Sequence, residues 1–79
     1  MNQRHLIGSA NQIGQFFASM PERDEALTGI VDHIRRFWEP RMRRALLAAL
    51  DDSVLQAELS EIVRASLTAH RDSLTPAAV

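Results

Sequence analysis

Pro40 stands between two runs of helical spacing and constrains the fold more than any other residue of the chain. Proline has no backbone N–H and pushes the residue before it out of helical geometry, so one helix must end by Glu39 and another can begin at Pro40. Upstream, Ile30, Ile34 and Phe37 follow helical steps; downstream, Met42, Ala45, Leu46, Ala49 and Leu50 do the same. The pattern predicts two helices meeting at an elbow whose inner side is apolar and carries Phe37. Arg35, Arg36, Arg41, Arg43 and Arg44 crowd the same stretch and point mostly elsewhere, with planar guanidinium forks suited to carboxylates or phosphates.

A chain of 79 residues makes one domain near the lower limit of what a hydrophobic core holds together unaided. Aromatic side chains are few, so the core must come from Leu, Ile, Val, Ala and Met, as in a small helical bundle. Cysteine is absent, which excludes disulfides, cysteine-ligated zinc, iron–sulfur ligation by this chain and thiol catalysis. No basic stretch precedes a long apolar run, and no apolar segment approaches the ~18 residues of a membrane span, so the expected location is the cytoplasm. The net charge is −1 but unevenly spread. Five arginines face only Asp32 and Glu39 in residues 32–46, whereas residues 47–79 are acidic.

The periodicity predicts an all-α bundle of three to four helices in residues 1–72, with the Pro-marked elbow between the second and third and a flexible tail over 73–79. The first helix begins near Gln3 and carries the stripe Leu6, Ala10, Ile13, Phe17, Met20. Gly8 and Gly14 weaken it by roughly 1 kcal/mol each against alanine, which a close helix approach would justify. Gly29 poses the same choice in the second helix. Asn11 and Gln12 are amides beside the apolar stripe, either solvated or hydrogen-bonded across an interface. Pro21 suits the first position of the second helix, with Glu22, Asp24 and Glu25 at its positive end. Asp51, Asp52 and Ser53 stop the third helix and offer caps for a fourth, Ser53 and Gln56 having capping-box spacing, that runs through Leu55, Leu59, Ile62, Val63, Ser66, Leu67 and His70.

Catalytic chemistry finds little support. His5, His33 and His70 lie on three different expected helices and form no HxxxH or HExxH pair, the glycines make no phosphate-cradling loop, and nothing resembles a strained nucleophile turn. The expectation is a non-enzyme without catalytic, cofactor or metal residues. His33 lies one turn before Phe37, either as a hydrogen-bonded imidazole or as a partner contact. Trp38, the single tryptophan, is either an interface anchor or the centre of the core. The pair of angled helices opening with Pro40-Arg41-Met42-Arg43-Arg44 has a superficial likeness to a helix-turn-helix, but the turn is too short and the chain slightly acidic. A DNA-binding module and a free-standing homodimeric module therefore stand as alternatives, with no nucleic acid and no membrane in the main reading.

The segments ANQIGQFF (Ala10 to Phe17) and DHIRRFWEPRMRRALLAAL (Asp32 to Leu50) resemble the delta subunit family of bacterial NAD-dependent, molybdenum-containing formate dehydrogenases. The resemblance implies an accessory chain that docks on the large catalytic subunit and supports complex stability or cofactor maturation. In that family the molybdopterin, iron–sulfur clusters, FMN and NAD belong to other subunits, so no cofactor is expected here. The family's marked positions fall on Asn11, Phe16, Phe17, His33, Phe37, Trp38, Pro40, Arg41 and Met42. With Arg35 and Arg44 as carboxylate partners, the expected partner-binding set is Asn11, His33, Arg35, Phe37, Trp38, Pro40, Arg41, Met42 and Arg44.

Overall fold

Asn2 starts the first helix: its side-chain oxygen accepts the backbone N–H groups of Arg4 at 2.9 Å and His5 at 3.4 Å, two donors that have no partner within the helix. In the computed structural model, which describes residues 2–77, α1 spans Gln3–Phe17, α2 Arg23–Phe37, α3 Pro40–Asp51, α4 Glu61–Ala69 and α5 Arg71–Leu74. A 3-10 turn over Leu55–Glu58 lies between α3 and α4, and no strand occurs among the described residues. The chain is the all-α bundle that its periodicity predicts.

α2 packs against α1, α4 and α5, while α1 also touches α3 and α4. Ile30 and Ile34 of α2 are wholly buried with Leu46, Val63, Leu67 and Leu74 from the surrounding helices. Removing such a side chain from water is worth about 1.5–3 kcal/mol, so this small aliphatic set carries most of the stability. Gly14 lets α4 come close: a Cβ there would lie 2.7 Å from Val63 Cγ2. Gly29 does the same for Phe17, whose ring a Cβ would meet at 2.5 Å, whereas Gly8 faces open space.

Three expectations are corrected. Pro21 precedes the second helix rather than opening it, because Glu22 is the N-cap and Arg23 the first helical residue. The expected fourth helix is split. Of the caps offered, Asp52 serves in place of the Ser53 capping box, its carboxylate accepting the N–H groups of Val54 and Leu55 at 2.8 and 3.0 Å. Those bonds open only the 3-10 turn, and the chain then extends through Leu59 and Ser60 before α4 begins. Finally, Ser73 and Leu74 belong to α5, and Leu74 is only 1% exposed in the core, so an unpacked tail cannot start at residue 73. The last two residues of the expected tail lie outside the described ones.

Candidate functional site

The elbow is a link of two extended residues. Trp38 has φ −100° and ψ 132°, and Glu39 has φ −64° and ψ 155°, the conformation that Pro40 demands of its predecessor. Trp38 still donates its N–H to Ile34 O at 2.9 Å, and it follows the buried Ile30 and Ile34 at steps of four. The indole turns into the core and is 8% exposed, so Trp38 is a core residue rather than the expected partner contact. Phe37, expected on the inner side, is 70% exposed, its ring lying 4.8 Å from that of His33. Met42 is half-buried against the chain's own core.

Pro40 takes the first position of α3, as expected, and Arg35, Arg41 and Arg44 are exposed around it. The chain's ion pairs among described residues join Arg4 to Glu58, Arg23 to Glu61 and Arg71 to Asp51. All three lie outside the elbow, which leaves Arg35, Arg36, Arg41, Arg43 and Arg44 without a carboxylate partner among the described residues. Glu39 makes no side-chain bond to the first turn of α3, so the positive end of that helix adds to the guanidinium charge.

Asn11 is placed differently from expectation. Its side chain donates to the carbonyl of Glu58 at 2.9 Å and accepts the N–H of Ser60 at 2.9 Å, spanning the bend before α4. Its amide is occupied inside the domain and is not a free partner group.

A second feature was not singled out from the sequence. Phe16 is 73% exposed and stands edge-on to Phe17, with ring centroids 5.1 Å apart. With Ile13, Phe17 and His33 it lines a hollow of about 590 Å³ on the seam between α1 and α2. Phe17 and His33 also line an adjoining recess with Phe37 and Arg36, and Asp32 and Gly29 continue it toward Met20, Asp24 and Glu25. The adjacent pair Phe16-Phe17 carried the available signal, since neighbouring helical positions are about 100° apart and cannot both face the core. Among the described residues no group of three or more His, Cys, Asp or Glu side chains is arranged to hold a metal ion, and no helix is long and apolar enough to cross a membrane.

Residues 5–67 match the family model described as "NADH-dependant formate dehydrogenase delta subunit FdsD". No curated protein and no solved structure matches the chain.

Proposed function

The chain belongs to the delta subunit family of NADH-dependent formate dehydrogenases, and from that premise we propose that it is a non-catalytic accessory subunit of a cytoplasmic enzyme complex, docking on the large catalytic subunit through the elbow. The observation that carries this reading is the set of elbow arginines left without internal partners. A domain this small gains little from crowding like charge around one turn unless that charge meets another surface.

In the proposed complex, Arg41, with Arg35 or Arg44, pairs with carboxylates of the large subunit. The forked guanidinium group suits such pairing, and desolvation at an interface strengthens it beyond what exposed pairs give. The complex's redox cofactors are held by other subunits, and the contribution of this chain is to complex stability or to cofactor maturation. These two roles separate by stoichiometry, since a permanent subunit is present in equal numbers with the large one in the finished enzyme.

The test is the affinity of the purified chain for the large subunit. Arg41→Glu combined with Arg44→Glu should weaken binding at least tenfold while helicity is retained, because both side chains are exposed. Undiminished affinity would remove the elbow from the interface. Recovery of the wild-type chain with short DNA duplexes instead of the enzyme would favour the nucleic-acid alternative.

A further inference from the structure

We propose that the seam between α1 and α2 receives an amphipathic segment of the enzyme, its apolar side chains lying between Phe16 and Phe37 and its Lys or Arg side chains reaching Asp24, Glu25 and Asp32. This inference rests on the docking reading and names a second contact surface for it, distinct from the elbow arginines.

The seam is continuous. Phe17 and His33 line both the large hollow and the recess beside it, and Asp32 and Gly29 line both that recess and the acidic end. From Asp24 to Phe37 along α2 the distance is roughly 20 Å at about 1.5 Å per residue, the length of a three- to four-turn helix. Its apolar part is built into the fold: the bare Gly29 backbone admits the Phe17 ring, Phe16 stands edge-on to Phe17, and Phe37 lies over His33. Two phenyl rings exposed on one seam of so small a domain are an unusual concentration of apolar surface, of the kind that marks an interaction site.

Charge decides what covers it. Three carboxylates, Asp24, Glu25 and Asp32, line the seam against the single guanidinium of Arg36, and none of the four makes an ion pair among the described residues. A second copy of the chain pressed on this face would bring its three carboxylates together when parallel, or offer them only the single guanidinium of Arg36 when antiparallel, so carboxylates stay uncompensated in a drying interface either way. A segment with apolar residues in its middle and basic residues toward one end meets both demands.

The experiment compares full-length variants in binding to the reconstituted enzyme, with circular dichroism confirming that each is folded. Phe16→Ser combined with Phe37→Ser is expected to weaken binding at least thirtyfold. Asp24→Asn combined with Asp32→Asn is expected to weaken it at least fivefold and to reduce its salt dependence. A photoreactive benzophenone amino acid in place of Phe37 should cross-link to an enzyme peptide that carries both apolar and basic residues. Wild-type affinity in the double phenylalanine variant, a cross-link to an acidic enzyme peptide, or cross-links confined to a second copy of this chain would each overturn the proposal while leaving elbow docking intact. Absence of any complex with the wild-type chain would overturn the docking reading itself, and this one with it.

Discussion

The side-chain oxygen of Asn11 accepts the backbone N–H of Ser60 at 2.9 Å across 49 residues of sequence, while its nitrogen donates to the carbonyl of Glu58. One amide thus satisfies a donor and an acceptor on either side of Leu59, where neither the 3-10 turn nor α4 supplies a partner. Asn11→Ala should lower the unfolding free energy by about 1–3 kcal/mol, since it strands two backbone groups. Asn11→Asp keeps the acceptor for Ser60 and should recover part of the loss. Urea titration followed by circular dichroism measures both.

Trp38 and Phe37 both stand at helical spacing from Ile34, yet Trp38 is buried and Phe37 is exposed. Trp38→Ala should cost about 3–5 kcal/mol, a large share of the margin of so small a domain. Phe37→Ala should change stability by less than ~1 kcal/mol, because its ring is already in water. A larger loss from the Phe37 change in paired denaturation curves would mean that the elbow folds the other way.

The glycines separate by what stands opposite them. Gly8→Ala meets nothing within 4 Å and should stabilise the chain by about 0.5–1 kcal/mol through helix propensity alone. Gly14→Ala drives a methyl group to 2.7 Å from Val63 and should destabilise by about 1–3 kcal/mol as α4 is forced away. Melting temperatures of the two variants should move in opposite directions.

Acid should weaken the domain through three exposed carboxylates. The Arg71 guanidinium holds the Asp51 carboxyl below its ordinary value of 3.8, the N–H groups of Leu55 and Val54 do the same for Asp52, and Arg23 holds Glu61 below 4.5. A depressed folded-state value means that the stabilisation is complete above those ordinary values and is lost as pH falls through the lower ones. Melting temperature should therefore decline below about pH 4, and Asp51→Asn with Glu61→Gln should flatten that decline. An acid limb unchanged by the two substitutions would remove these pairs from the account.

Much of the fold is legible locally. The stripe of Leu6, Ala10 and Ile13 and the stop at Pro40 are consequences of helix geometry and of a missing N–H, and both need only neighbours in sequence. The site is less so. Phe37 and Trp38 both fall at helical spacing from Ile34, so periodicity alone does not tell which of the two rings is buried. The break at Leu59 and Ser60 has no proline or glycine to announce it; it is stabilised by Asn11, far away in sequence. The α1–α2 seam needs two helices placed side by side before Phe16 and Phe37 share a face, and no local pattern supplies that. Family resemblance marked Phe16, Phe37 and Arg41 without separating buried from exposed positions.

Hydrogen exchange of this chain, free and in the assembled formate dehydrogenase, tests the docking claim most directly. The first-turn amides of α3 have no partner within the helix, so Arg41 and Met42 should exchange fast in the free chain. In the complex, exchange should slow over Glu39–Arg44, with α4 unchanged. Slowing confined to α4 and the 3-10 turn, with the elbow amides exchanging as fast as in the free chain, would contradict docking through this face.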